Sequence, residues 1–275
     1  MKIVFLSENK TEMGNCRAEF GLSMYIETHD MKLLFDTGAS NLFEDNARVL
    51  GVDLRDVDAC IISHGHFDHT NGAPRFCEIN SKAKFYIHEN ATREFFGTTD
   101  GEIDDYNCGI LWNQQDKETV LKRAQRTHGP LWLNEDIVIS GPIPDAPDFK
   151  PVEEFYFRSI SGGLEPDTMD HEQFLAVREG ENIFLFSGCS HKGIVAAMEY
   201  AKDLFPGNKI THVVAGMHLF GATDEMRKKV IDRIALEEPK IVMPMHCTGM
   251  NAICMMRERF GKACVLASAG KTYEM

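Results

Sequence analysis

Short runs in which apolar and polar residues alternate dominate the first part of the chain. Alternation of this kind puts every second side chain on one face, which is typical of a β-strand. The strands predicted on this basis are 2–6, 22–27, 31–36, 59–63 and 84–88. Between them, residues 41–50 carry apolar side chains at helical spacing and stop at Gly51, which predicts a helix with a C-terminal glycine.

The pattern is most regular from residue 173 onward, where strands alternate with helices. The predicted strands are 173–178, 182–186, 210–216, 240–245, 263–267 and 271–275. Apolar residues at intervals of three and four predict helices over 193–205, 224–238 and 248–261, and Thr223 is a suitable N-cap for the second. This alternation predicts sheets with helices packed outside them.

Residues 90–150 follow no such regular pattern and lead into a proline-rich stretch, 141–151. The chain contains no clear sequence repeat and no linker that would divide it. We therefore expect one domain over 1–275, with 90–150 as an irregular insertion or lid.

Composition and charge narrow the class of protein. The 275 residues are 43% apolar, which supports a sizeable core, and no apolar run approaches the roughly 20 residues that span a bilayer. The first apolar run ends at Ser7, too early for a signal peptide, so we expect a cytoplasmic protein that does not enter a membrane. A net charge of −13 argues against nucleic acid as a general partner.

The eight cysteines are scattered without a CxxC pair, so the sequence indicates neither a disulfide framework nor a structural zinc knuckle. Reduced thiols fit this distribution. No feature of the sequence indicates an oligomeric state.

The residue string HGHFDH directly follows the predicted strand 59–63, and it places His64, His66, Asp68 and His69 within six residues. Imidazole and carboxylate are ligands that divalent metals such as zinc prefer, and these four can divide into two pairs. A pair does not complete a coordination shell, so each metal needs further ligands from later in the chain. Later predicted strands are followed closely by His191, His218 and His246.

HGHFDHTNGA resembles the HxHxDH signature of the metallo-β-lactamase superfamily, and LFDTGAS, with Asp36, resembles the strand-end motif that precedes it. With the later GCSH, GMHL and HCTG segments, nearly the whole chain resembles its type II metal-dependent hydrolases, a subfamily that includes dihydropterin-ribofuranosylaminobenzene 5′-phosphate synthases. The resemblance implies an α/β fold, a four-layer αββα sandwich of two mixed β-sheets with outer helices. It also implies a dinuclear metal site, in which His64 and His66 bind one ion and Asp68 with His69 the other.

The sequence departs from the family pattern where a bridging aspartate is usual, because Gly188 is followed by Cys189. The candidates to complete the shell are His191, Cys189 as a thiolate, and Asp170 or His171. We expect His191, because it lies in a loop at the end of a strand.

Three further residues have alternative roles. His246 and His218 compete as the last histidine ligand; we expect His246, which follows the last strand–helix repeat, and assign His218 to substrate or proton handling. Asp36 either caps the next turn or orients a ligand histidine, and we expect the second. Lys192 lies in a loop that leads into a helix, where it and backbone N–H groups are candidates to bind an anion.

These expectations predict a metal-dependent hydrolase in which two divalent ions activate water, with Asp68 and His218 as catalytic residues. Zinc is the default metal, although manganese and iron accept the same nitrogen and oxygen ligands. The partner is a small-molecule substrate, phosphorylated or carboxylated. The alternatives are a synthase of the methanopterin pathway type, which releases pyrophosphate, and a metal-binding sensor without turnover.

Overall fold

The computed structural model describes residues 1–275 and contains 18 strands and 7 α-helices. The strands are β1 (Lys2–Ser7), β2 (Ser23–Glu27), β3 (Lys32–Phe35), β4 (Ala59–Ile61), β5 (Lys84–His88), β6 (Phe95–Phe96), β7 (Thr98–Thr99), β8 (Glu102–Ile103), β9 (Ala124–Thr127), β10 (Leu131–Trp132), β11 (Ile137–Ile139), β12 (Tyr156–Arg158), β13 (Leu164–Pro166), β14 (Leu175–Glu179), β15 (Asn182–Ser187), β16 (Lys209–Gly216), β17 (Ile241–Met245) and β18 (Thr272–Glu274). The helices are α1 (Leu42–Leu50), α2 (Phe67–Thr70), α3 (Ala73–Ile79), α4 (Gln114–Arg123), α5 (Ile194–Leu204), α6 (Asp224–Ala235) and α7 (Met250–Phe260).

The chain forms two compact units, each built from segments that are separate in the sequence. The first unit comprises Met1–His128, Glu154–His171 and Ser268–Met275, and the second comprises Gly129–Glu153 and Glu172–Ala267. The segment 90–150 is divided between them and contains α4 and short strands. Its role as a lid, like the single-domain organisation, stays a prediction.

A seven-stranded mixed sheet organises the first unit, in the order β18-β1-β2-β3-β4-β5-β9. The pairs from β3 to β9 are parallel and the others antiparallel. Because parallel neighbours end at the same edge of a sheet, Asp36 after β3 and Ser63 beyond β4 come together there. Helices cover the sheet: Phe43 of α1 and Phe76 of α3 share a buried cluster with Leu34 of β3.

The second unit contains a six-stranded mixed sheet in the order β10-β11-β14-β15-β16-β17. Strands β15, β16 and β17 are parallel and are connected through α5 and α6, so all three end at one edge. The loops beyond those ends begin at residues 188, 217 and 246. This edge therefore receives the GCSH, GMHL and HCTG segments.

Most elements predicted from the sequence are confirmed, including two of their end signals. Gly51 ends α1 in the left-handed backbone region, with φ 70°, and the Thr223 hydroxyl accepts a hydrogen bond from the backbone N–H of Met226 at 3.2 Å. The strand predicted over 263–267 is wrong. A 3-10 turn over Gly261–Ala263 and an isolated bridge between Cys264 and Val242 take its place, because the backbone beyond Cys264 makes no continuous ladder.

No helix of the chain combines the length and the apolar character that crossing a membrane would require. The longest, α6, has 12 residues.

Gly72, which precedes α3, supplies a test of packing in the first unit. A Cβ atom added there would lie 2.2 Å from the Thr37 carbonyl oxygen and 2.7 Å from the Phe43 ring. We expect Gly72→Ala to lower the free energy of unfolding by roughly 1–3 kcal/mol, because backbone must shift to admit the methyl group. Urea unfolding followed by circular dichroism measures the change. Gly14→Ala is the control, since a Cβ there meets nothing within 4 Å; equal stability of the two variants would contradict the packing argument.

Candidate functional site

The HGHFDH segment forms a buried cluster at the sheet edge of the first unit. Beyond β4 the backbone carries His64 and His66, and the short helix α2 then carries Asp68 and His69. All four side chains are buried. The ring centroid of His64 lies 4.6 Å from that of His66 and 4.2 Å from that of His69, so the three imidazoles converge.

Asp36 fixes this cluster from behind through a fully buried carboxylate. Its Oδ1 accepts the backbone N–H of Ser63 at 2.7 Å, and its Oδ2 accepts the Ser63 hydroxyl at 2.8 Å. Oδ2 is also 2.7 Å from Nδ1 of His69. Asp36 therefore makes the contact with a histidine that the second of its two predicted roles requires.

These contacts also decide which ring nitrogens carry hydrogen. A carboxylate only accepts, so His69 carries its hydrogen on Nδ1. The Ser63 hydroxyl donates to Asp36, so it accepts from Nδ1 of His64 at 2.9 Å. In the neutral rings the Nε2 atoms of His64 and His69 are then left with a lone pair, which is the form that binds a metal.

His66 is held in the neutral form by its surroundings. Burial, followed by the nearby His171, lowers the pKa of His66 to about 3. The Nε2 atoms of His64 and His66 are buried and make no hydrogen bond, although each ring has other contacts. Neutral imidazole, together with the Asp68 carboxylate, suits a borderline divalent metal.

His171 lies beside this cluster, with its ring centroid 6.2 Å from His64 and 5.9 Å from His66. Both of its ring nitrogens already have protein partners. Nδ1 accepts the backbone N–H of Gly65 at 3.1 Å, so the hydrogen is on Nε2, which lies 3.1 Å from Asp167. His171 thus fixes the backbone between His64 and His66 rather than offering a free nitrogen.

Gly65 has no room for a side chain, because an added Cβ would lie 2.2 Å from the Ala91 carbonyl oxygen.

Asp170, the candidate next to His171, accepts a hydrogen bond from Asn90 at 2.7 Å and forms an ion pair with Arg93 at 3.3 Å. Its carboxylate is therefore engaged in structural contacts.

Three loops form the corresponding cluster of the second unit, and each has a non-glycine residue in the left-handed region. Ser190, His218 and His246 have φ values of 57°, 46° and 50°. Such conformations cost energy and are concentrated at functional sites. His191, which follows Ser190, has its ring centroid 4.3 Å from that of His218.

A second buried carboxylate, that of Glu172, holds the first of these loops. Its two oxygens accept the backbone N–H groups of His191 and Lys192, each at 2.7 Å. The Lys192 ammonium forms an ion pair with Asp145. The N–H groups considered for binding a substrate anion are therefore already occupied at these two positions by a carboxylate of the protein.

Cys189, His218 and Cys247 bring three metal-ligating atoms together within the second unit. Their ligand atoms all lie within 4.8 Å of one another, and all three residues are buried. Nδ1 of His218 lies 3.0 Å from the Glu153 carboxylate. Burial alone would lower the pKa of His218. The Cys247 sulfur and the Glu153 carboxylate outweigh burial, so the net effect is a raised pKa.

Cys247 has a thiol whose pKa is shifted by its neighbours. Although burial raises its pKa, the hydrogen bond with Cys189 and the charges of His218 and His246 lower the pKa of Cys247 to about 5. A lowered pKa favours the thiolate, which is the form that binds metals and reacts as a nucleophile.

Sequence reasoning did not identify Ser63, Glu153 or Glu172. Ser63 directly precedes the motif, so its hydroxyl could have been noticed. Glu172 follows His171 directly and offered no signal beyond that position, and Glu153 lies in an irregular segment without one.

Comparisons with known proteins identify the family. The sequence matches the Metallo-beta-lactamase superfamily over residues 16–242. It is 30% identical over 267 residues to the 7,8-dihydropterin-6-methyl-4-(beta-D-ribofuranosyl)-aminobenzene-5'-phosphate synthase of Methanocaldococcus jannaschii, covering 92% of this chain and 89% of the synthase. An uncharacterised protein of the same organism is also 30% identical, over 250 residues and 88% of each chain.

A crystal structure of Tm1679, a metal-dependent hydrolase of the beta-lactamase superfamily, aligns with a TM-score of 0.85 at 26% identity. The alignment covers 100% of this chain and 99% of Tm1679. The α/β fold class implied by the HGHFDH motif is thereby confirmed. The chain belongs to the metallo-beta-lactamase superfamily.

Proposed function

We propose that the protein is a hydrolase that uses two divalent metal ions against a small, anionic substrate. The proposed ligands are His64, His66, Asp68, His69, His191 and His246. The observation that carries the proposal is the first-unit cluster, in which three imidazoles and a carboxylate converge in a buried setting. Its support is the family, together with the similarity to the metal-dependent hydrolase Tm1679.

The donor chemistry fits divalent metals. Zinc is the proposed default, and manganese and iron accept the same nitrogen and oxygen ligands. When bound, two such ions supply a nucleophilic water at neutral pH and neutralise charge that develops on the substrate. Asp68, whose carboxylate Oδ2 lies 3.6 Å from Nε2 of His69, is proposed to accept the proton of the attacking water.

The substrate is proposed to be phosphorylated or carboxylated. The support is the name of the Methanocaldococcus jannaschii synthase, which includes a 5'-phosphate. Lys192 contributes less to this proposal than its position in the sequence suggested, because its ammonium group is paired with Asp145. The proposed location is the cytoplasm, and the oligomeric state is left open.

A synthase of the methanopterin pathway type is the second candidate function. It is favoured by 30% identity to the named synthase over 92% of this chain. In such a reaction the amine nitrogen of the aminobenzene would displace pyrophosphate from the methyl carbon of the pterin and lose its proton, and ions held by the same ligands would neutralise the leaving group.

Asp68→Asn tests the hydrolase. The amide keeps the size of the side chain but cannot accept the proton, so we expect turnover to fall roughly 10²–10⁴-fold while the fold is retained. Turnover is measured on a panel of phosphodiesters, thioesters and lactones after zinc or manganese is added, with circular dichroism to follow the fold. Asp45→Asn is the control, because Asp45 is exposed on α1 and pairs with Arg17. A folded, zinc-loaded wild type that turns over none of the panel, or an Asp68→Asn variant of full activity, would contradict this function.

Asp36→Asn tests whether the carboxylate behind the cluster sets metal affinity. An amide cannot accept from Ser63 and His69 at all three contacts, so the His69 ring loses its fixed hydrogen position. We expect metal affinity to weaken about 10–100-fold. Competition with a chelator measures it, and Asp58→Asn, a half-exposed aspartate that also accepts a backbone N–H, is the control. Equal affinities for the wild type and Asp36→Asn would remove this role.

The synthase has a product of its own that can be measured. We expect the alternative function, if correct, to release pyrophosphate from a dihydropterin diphosphate ester only when a ribofuranosylaminobenzene 5′-phosphate is present. A coupled pyrophosphate assay with each substrate omitted in turn measures this dependence. Pyrophosphate release that is independent of the second substrate would indicate hydrolysis instead.

A further inference from the structure

We propose that Cys189, His218 and Cys247 of the second unit form a binding site for one zinc-class metal ion. None of the three is among the six ligands proposed for the dinuclear centre. The Cys189 sulfur also lies within 4.8 Å of ligand atoms of His191 and of His246, so the site adjoins the second-unit ligands of that centre. The inference rests on the proposed function and deepens it, because it assigns His218 to metal binding in place of proton handling.

The three ligand atoms are already close to the spacing of a coordination shell. They lie within 4.8 Å of one another. Two thiolates bound at about 2.3 Å to a tetrahedral ion are about 3.8 Å apart, so binding requires a contraction of about 1 Å or less. All three residues are more than nine-tenths buried. Bulk water therefore has little access to the three ligand atoms.

Glu153 completes the set as an orienting group for His218. Its Oε2 lies 3.0 Å from Nδ1 of the imidazole and, being a carboxylate, accepts the hydrogen carried there. In the neutral ring the lone pair that a metal would bind is then on Nε2. A carboxylate, a histidine and a metal in this order form the arrangement that fixes ligand histidines in zinc proteins.

The backbone around the cluster is packed so tightly that the cysteine positions are fixed. A Cβ added to Gly216 would lie 2.1 Å from the Gly188 carbonyl oxygen and 3.0 Å from the Cys247 sulfur. Thr248 anchors the next loop through a 2.7 Å hydrogen bond from its hydroxyl to the Met245 carbonyl. His218 lies just beyond the end of β16 and has a left-handed backbone. The chain therefore turns at His218 instead of continuing as a strand.

The ligand chemistry selects the class of ion. Thiolates favour zinc and similar soft or borderline ions, whereas manganese and magnesium prefer oxygen ligands. Two cysteines and one histidine are a known set for a zinc site that keeps its fourth position open. Each thiol must release its proton on binding, so the affinity for the ion depends on pH.

Cobalt(II) is the probe, because a thiolate bound to cobalt gives a charge-transfer band in the near ultraviolet and nitrogen or oxygen ligands do not. The full-length protein is stripped of metal, kept reduced and titrated with cobalt(II). We expect the wild type to show the band. In Cys247→Ser and Cys189→Ser it falls to half or less, and in the double variant it disappears. This reading is independent of turnover, so failure of the proposed hydrolase activity leaves it unaffected.

Cys254→Ser is the matched control, since Cys254 is an exposed cysteine on α7 of the same unit. It should retain the full band. Absence of the band in the wild type would overturn the proposal. So would a band that survives intact in Cys247→Ser, because Cys189 alone would then be the thiolate ligand.

Glu153→Gln separates metal binding from mere folding, because it leaves both cysteines and the imidazole in place. We expect the cobalt(II) dissociation constant to rise about 10–100-fold, with the same band intensity at saturation. An unchanged dissociation constant in this variant would overturn the assignment of His218 as an oriented ligand. Thermal unfolding of each variant confirms that the protein titrated is folded.

Discussion

The buried carboxylate of Asp36 is the constraint on which the first-unit cluster depends. A carboxylate taken out of water without partners costs several kcal/mol, so this one is tolerated only because Ser63 and His69 provide three hydrogen bonds to it. The same three bonds join the ends of β3 and β4 and set the hydrogen positions of two imidazoles. Stability and ligand orientation are thus one network, and it exists only in the folded sheet.

The second unit repeats this principle with different residues. Glu172 fixes a loop through two backbone N–H groups, and Glu153 fixes a ring through one nitrogen. In each case an acidic side chain that would ordinarily be solvated is buried or half-buried and supplies only acceptors. The donors that it satisfies belong to residues with strained backbone or to their neighbours. Fixed acceptors are therefore what hold the strand-end loops in conformations that their own sequences do not favour.

The candidate metal ligands are easier to recognise in the sequence than the groups that hold them. His64, His66, Asp68 and His69 are adjacent in the chain, and period-two alternation places them at a strand end, so a local pattern is sufficient. Glu172 acts on N–H groups 19 and 20 residues away, and Glu153 acts on a histidine 65 residues away. Such pairings arise only when the fold is formed. The strand wrongly predicted over 263–267 has the same origin, since its pairing with β17 is limited to an isolated bridge between Cys264 and Val242, which no local pattern reveals.

The two units differ in the softness of the ligands that they offer. The first unit supplies imidazole nitrogen and carboxylate oxygen, which zinc, manganese and iron all accept. The second adds two thiols, one of which has a pKa lowered to about 5 despite burial. Coordination chemistry at the first unit therefore leaves the choice among these metals to their availability. At the second unit, sulfur ligands favour zinc-class ions, because cations that prefer oxygen gain little from thiolates. Cys189, at a place where the family pattern has aspartate, thus offers sulfur where a carboxylate oxygen is usual.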